Sequence, residues 1–83
     1  MPVNIILNTW IKVKAERNYL LSQSDWTQLL DAPLLKEEQL KWKEFRQTLR
    51  DLPQVQADKK PIDVIFPTDP DGKVFDKLKS ELV

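Results

Sequence analysis

The chain has 83 residues, with 13 basic and 13 acidic residues, and it contains no Cys and no His. This length allows one small domain with a thin stability margin, and the missing Cys and His exclude disulfides, thiolate metal sites and the commonest general base. A net charge of zero gives no electrostatic reason to bind nucleic acid or an anionic membrane, and it leaves self-association unopposed by charge repulsion.

The first predicted element is a helix over residues 3–21. Side chains recur four and three residues apart along one face, which is typical of an amphipathic helix. This face carries Ile6, Trp10, Val13, Arg17 and Leu20. The opposite, polar face is predicted to carry Lys12, Lys14 and Glu16.

Residues 22–34 form the predicted connector. Its short polar side chains, such as Ser22, Ser24 and Asp25, bond to nearby backbone and therefore compete with helix. The connector is too long for the turn of about three or four residues in a DNA-reading helix-turn-helix. We expect it to fold over the helix pair, with Trp26 packed as a plug.

The second predicted helix runs from about residue 35 to residue 52. Its apolar side chains, Leu35, Trp42, Phe45, Leu49 and Leu52, share one face, and Pro53 is predicted to stop the helix. The sequence thus predicts an all-α or α-dominated fold, in which a two-helix hairpin packs antiparallel across the Trp26 connector. The predicted structural core contains Trp10, Leu20, Trp42, Phe45 and Leu49.

An extended, Pro-rich arm is predicted over residues 53–72. The apolar run Ile62–Pro67 lies between prolines, which indicates either an edge strand or an extended segment packed on the helices. Thr68–Lys73 contains the only Gly and has the composition of a turn. Phe75, Leu78 and Leu82 recur three and four residues apart, which predicts a short helix over residues 73–82.

The sequence offers little catalytic chemistry. Asp25, Thr27 and Asp31 are the one local cluster with acid–base potential, and helix capping and turn formation explain them without catalysis. Asp69 and Asp71 lie in a turn that lacks the first and last ligands of a calcium loop. We therefore predict no enzymatic activity, no metal and no cofactor.

No apolar segment approaches the roughly 18 residues that a membrane span needs, and the first residues lack the basic region of a secretory signal. We therefore expect a cytoplasmic protein with no membrane and no nucleic-acid partner. A core this small also favours support from a protein partner or from self-association.

The segment Ser24–Pro53 resembles the phage tail assembly chaperone family. The shared features are a Ser-Asp-Trp-Thr-Gln loop at 24–28, an Asp-Ala-Pro-Leu step at 31–34, and a helix with Trp42, Phe45, Arg46-Gln47 and Leu49-Arg50-Asp51. Leu30 departs from the pattern because a proline is common there. Leu35 replaces the usual Ser or Thr cap, at a cost of about 1 kcal/mol unless another group substitutes.

The resemblance implies a non-enzymatic viral protein that assists phage tail or tail-fibre assembly through protein–protein contacts in the host cytoplasm. One alternative is a structural adaptor retained in the tail or baseplate of the virion. A weaker alternative is a small regulator that binds a host protein.

Each of these functions needs an apolar surface that another protein covers. The candidate partner-binding residues are Trp26, Leu29, Leu30 and Leu34. For the three leucines, closure of the chain's own core is the favoured alternative.

Overall fold

The computed structural model describes residues 10–75. Two helices dominate this part of the chain, α1 over Trp10–Ser24 and α2 over Lys36–Val55. Short 3₁₀ turns follow each helix, at Asp25–Gln28 and at Pro61–Asp63. The described residues contain no strand, which confirms the predicted α-dominated hairpin. No helix among them combines the length and apolar character that a membrane crossing requires.

The two helices run antiparallel. Trp10 and Lys14, at the start of α1, line the same surface depression as Pro53 and Ala57, at the end of α2 and just beyond it. At the opposite end of α1, the Leu21 carbonyl accepts a hydrogen bond from a side chain in the middle of α2. The connector therefore reverses the chain direction, as the sequence predicts.

Helix α1 continues to Ser24, so its predicted end at residue 21 is wrong. The serines expected to compete with helix formation are instead part of the helix. The Ser24 hydroxyl donates to the Leu20 and Leu21 carbonyls, and the Ser22 hydroxyl donates to the Tyr19 carbonyl. Hydroxyl groups that bond back to the preceding turn are compatible with helical backbone. Residues 3–9 of the predicted helix lie outside the described residues.

The predicted position of Glu16 on the polar face of α1 is wrong. Its side chain is buried, and its carboxylate lies 2.7 Å from the Lys12 ammonium one turn earlier. Val13, Glu16, Leu20 and Ser24 are three and four residues apart, so they share the face turned toward α2. This buried face is partly polar, which apolar periodicity alone does not reveal.

Helix α2 begins after Leu35, whose side chain has no atom that can accept a hydrogen bond. The Glu38 carboxylate accepts a 2.9 Å hydrogen bond from the Leu35 backbone N–H. This contact is one half of a capping box. It compensates in part for the missing Ser or Thr cap.

Pro53 lies inside α2, so the predicted helix stop at this residue is wrong. A proline removes one backbone donor, here the one that would reach the Leu49 carbonyl. The helix nevertheless continues to Val55, and the Gln56 N–H donates to the Leu52 carbonyl at 3.0 Å. Only one intrahelical bond is lost, and the buried Leu52 keeps the last turn packed on the core.

The core lies between α1, α2 and the arm, with Leu49 completely buried. The other buried apolar side chains are Val13, Trp42, Phe45, Leu52, Val64 and Phe66. Trp42 and Phe45 meet edge to face, with ring centroids 5.7 Å apart. Trp10 and Leu20 are partly buried and pack against this cluster, as do Leu21, Leu34 and Phe75.

After the 3₁₀ turn at Pro61–Asp63, the arm is an extended segment packed on the helices rather than an edge strand. Val64 and Phe66 are buried and Ile65 between them is exposed, the alternation expected of extended backbone. The Gln56 side-chain amide donates to the Ile65 carbonyl at 2.7 Å and accepts from the Ile65 N–H at 2.9 Å. This amide takes the place of a neighbouring strand.

The end of the arm departs from the predicted short helix over residues 73–82. Residues 73–75 are not helical, and Phe75 instead packs on Phe66 with ring centroids 4.8 Å apart. Residues 76–82 of that prediction lie outside the described part of the chain.

Candidate partner-binding site

The connector is anchored to α2 by the buried guanidinium of Arg46. One of its nitrogens donates to the Leu21 carbonyl at 2.6 Å and to the Ser24 hydroxyl at 2.8 Å. The other nitrogen lies 2.7 Å from the Asp25 carboxylate. These contacts satisfy groups at the end of α1 and determine where the connector leaves the helix.

A second set of hydrogen bonds holds the middle of the connector. The Gln39 amide of α2 donates to the Thr27 carbonyl at 3.1 Å and to the Leu29 carbonyl at 2.9 Å. In return, the Gln28 amide donates to the Gln39 carbonyl at 3.2 Å. Thr27 is completely buried, and its hydroxyl donates to the Ser24 carbonyl. Hydrogen bonds to α2 and to the end of α1 therefore fix the connector backbone at residues 27–29.

This anchoring leaves two leucines in solvent. Leu29 is 55% exposed and Leu30 is fully exposed, so core closure, the favoured alternative, is wrong for both. Core closure fails for these two leucines because the Gln39 amide donates to the Thr27 and Leu29 carbonyls. These hydrogen bonds hold the connector backbone against α2 and leave both leucine side chains outside the core. Leu34 is partly buried and packs against the core.

Leu29 and Leu30 form one side of a surface groove of about 420 Å³. We call it the leucine groove; it is lined by Gln28, Leu29, Leu30, Lys36, Gln39, Leu40 and Lys43. Lys36, Leu40 and Lys43 are four and three residues apart, so one face of α2 forms the other side. The lining combines three leucines with two glutamines and two lysines, and it contains no acidic residue.

Trp26 is separated from the leucines, and the expectation that it is packed is wrong. Its side chain is 45% exposed, and its ring contacts Trp42 at a centroid distance of 6.5 Å. It lines a different cleft, together with Tyr19 and Trp42. Trp26 belongs to a short 3₁₀ turn, and it does not line the groove that Leu29 and Leu30 line. The four candidate residues therefore do not form one surface.

Two of the three residues with acid–base potential have structural contacts. Asp25 pairs with Arg46, and Thr27 is buried and hydrogen-bonded to backbone. Asp31 is exposed in the turn after Leu30. Asp69 accepts hydrogen bonds from backbone N–H groups of its own turn. Among residues 10–75 there is no group of acidic side chains that could hold a metal ion.

Two residues of the site are not indicated by the apolar pattern. Leu40 lies two positions before Trp42 and therefore faces away from the core, outside the apolar stripe. Gln39 has no hydrophobic signal at all. Arg46 is one of the residues on which the family resemblance rests, but its position in the sequence does not indicate a contact with the other helix. The structure shows that it caps the other helix.

Comparison with known proteins agrees with the resemblance. The family model described as "phage tail assembly chaperone protein" matches residues 10–71, which is more than half of the 83-residue chain. Searches of curated proteins and of solved structures each gave no match. The matched region spans both helices, the connector and most of the arm. The chain therefore belongs to the phage tail assembly chaperone family.

Proposed function

We propose that this protein assists phage tail or tail-fibre assembly in the host cytoplasm without catalysing a reaction, by holding a tail protein in the leucine groove. The observation that carries the proposal is the pair of exposed leucines, Leu29 and Leu30, on a connector fixed by hydrogen bonds from Gln39. Exposed apolar side chains in a rigid loop are unfavourable for the isolated chain, and a partner that covers them removes that cost.

The physical gain comes from burial and from preorganisation. Covering a fully exposed leucine contributes about 1.5–3 kcal/mol. Binding to a loop that is already ordered avoids the entropic cost of fixing it, about 0.5–1.5 kcal/mol for each immobilised side chain.

The direct test is capture of tail proteins from infected cells with the wild-type chain and with a Leu29→Ser/Leu30→Ser variant. Both leucines are exposed, so the variant is expected to fold normally. The matched control is Val55→Ser, which changes another exposed apolar residue, at the opposite end of α2. A tail protein retained by the wild type and the control, but lost from the double variant, supports the proposal. Equal retention by all three proteins overturns it.

A structural adaptor in the tail or baseplate would use the same groove, and the two functions differ in what happens after assembly. Mass spectrometry of purified virions distinguishes them. A chaperone is absent from the virion, whereas an adaptor is present at a fixed copy number. Detection at a fixed copy number replaces the chaperone function with the adaptor function and leaves the groove as the contact surface.

A further inference from the structure

A second cleft, of about 400 Å³, lies between the end of α1, the first 3₁₀ turn and the end of the arm. We call it the aromatic cleft. Its lining consists of Tyr19, Leu20, Gln23, Ser24, Trp26, Trp42, Asp69, Asp71 and Lys73. It shares no residue with the leucine groove.

One wall of the aromatic cleft is made of three aromatic rings. Trp26 is 45% exposed and Tyr19 is 55% exposed, so both offer ring surface to solvent. Trp42 lies behind Trp26, with the ring planes tilted at 51°, and supports it from the core. The backbone of Trp26 is held by the 3₁₀ turn and by the buried Thr27 that follows it. The rings are thus presented by a fixed support.

Another part of the cleft lining, here called the acidic wall, is a turn of the arm. One Asp69 carboxylate oxygen accepts hydrogen bonds from the Asp71 N–H at 3.0 Å and the Lys73 N–H at 2.8 Å. Gly72, with a φ of +85°, allows the chain to make this turn. The Asp71 carboxylate is exposed and has no hydrogen bond or ion pair within residues 10–75. Two aspartates and one lysine therefore line the cleft together with the rings.

We propose that the aromatic cleft binds a cationic side chain of a partner protein, specifically an arginine. A guanidinium stacks on indole and phenol rings through its planar face, and its N–H groups form directed hydrogen bonds with carboxylates. The cleft lining offers both kinds of contact, and its two aspartates outnumber its one lysine. The inference does not depend on what the leucine groove binds.

The distribution of the three tryptophans allows a test with the full chain. Trp26 and Trp42 line the cleft, whereas Trp10 lies in a separate depression beside Lys14, Pro53 and Ala57. The indole N–H resonances of the ¹⁵N-labelled protein are recorded while N-acetyl-arginine amide is added. The matched control ligand is N-acetyl-citrulline amide, which has a similar shape but no charge. Trp10 is the internal reference for non-specific effects.

We expect saturable shifts of the Trp26 resonance with the arginine ligand, weaker shifts with citrulline, and no shift of Trp10. Added salt is expected to weaken binding because the cleft is open to solvent. No shift of Trp26, equal shifts with both ligands, or an equal response of Trp10 each overturns the proposal.

Three variants test the two walls separately. Trp26→Leu keeps an apolar side chain but removes the ring, and is expected to weaken arginine binding about two- to fivefold. Asp69→Asn/Asp71→Asn keeps an oxygen that can accept the turn hydrogen bonds, removes both charges and is expected to weaken binding further. Lys73→Gln removes the competing cation and is expected to strengthen binding. Each variant is compared only if its NMR spectrum is otherwise unchanged. The charge argument is contradicted if Lys73→Gln does not increase the affinity for the arginine ligand, or if Asp69→Asn/Asp71→Asn does not decrease it.

Discussion

The Arg46 guanidinium, in the middle of α2, lies 2.6 Å from the Leu21 carbonyl oxygen near the end of α1. The last carbonyls of a helix have no partner within the helix, and a cation near them is stabilised by the helix dipole. One side chain therefore caps α1 and also holds the connector through Ser24 and Asp25. The position of both candidate surfaces depends on this contact.

Arg46→Met tests that dependence. The substitution keeps much of the side-chain volume but removes three hydrogen bonds, and we expect the free energy of unfolding to fall by about 2–3 kcal/mol. Urea unfolding followed by tryptophan fluorescence measures the change. The control is Asp25→Asn, which loses one ion pair with a largely exposed carboxylate and should cost less than about 1 kcal/mol. Equal effects of the two substitutions would refute the capping role of Arg46.

Gln39→Glu tests whether the leucine groove is preformed. The variant replaces the donating amide with a carboxylate, which places negative charge against the Thr27 and Leu29 carbonyls. We expect a loss of about 1–2 kcal/mol and faster amide hydrogen exchange in the connector, because these carbonyls lose their partner. The control is Gln54→Glu, the same change at an exposed residue at the other end of α2. Unchanged connector exchange in Gln39→Glu would mean that the groove is held by other contacts.

The same change, leucine to alanine, should have very different effects at positions 49 and 30. Leu49→Ala creates a cavity in the core and is expected to cost about 2–5 kcal/mol, a large part of the stability of so small a domain. Leu30→Ala removes a fully exposed side chain and should change stability by less than about 0.5 kcal/mol. Thermal or urea unfolding of both variants measures the contrast. A large loss for Leu30→Ala would place this residue in the core and remove it from the candidate surface.

Gln56→Ala tests how the arm is attached to the helices. It removes both hydrogen bonds to the Ile65 backbone, and we expect the segment around Ile65 to open more often and to be cleaved faster by proteases. The loss in global stability should stay near 1 kcal/mol, since Val64 and Phe66 remain buried. Gln54→Ala, an exposed neighbour, is the control. Equal cleavage of the two variants would mean that apolar packing alone holds the arm.

The sequence predicts the parts of the fold that depend on apolar periodicity. The stripe of Trp42, Phe45 and Leu49 predicts α2 and its buried face, and the alternation around Ile65 agrees with the extended arm. Pro53 misleads because the rule for proline describes its local cost, whereas the burial of Leu52 keeps the final turn in place. The end of helix α1 is harder to predict from sequence. A serine hydroxyl can cap a helix or bond back to the preceding turn within it, and at Ser24 the hydroxyl bonds back to Leu20 while it accepts a hydrogen bond from the distant Arg46.

The candidate site could be predicted only in part. The sequence identifies Trp26, Leu29 and Leu30 as apolar residues of a connector, but it does not say which of them the core will cover. That outcome depends on the carbonyls that Gln39 binds, a contact between residues ten to twelve positions apart that no periodicity indicates. The acidic wall of the aromatic cleft is likewise formed by a turn far along the chain from Trp26.

The most direct measurement of the central claim is site-specific photo-crosslinking in infected cells. A photo-crosslinking amino acid is introduced at Leu30, and at Val55 as the control, and the crosslinked proteins are identified by mass spectrometry. Both positions are exposed, so neither change should disturb the core. We predict that a phage tail protein is crosslinked from position 30 and not from position 55. Absence of tail proteins at position 30, or equal crosslinking from both positions, would contradict a client-binding role for the leucine groove.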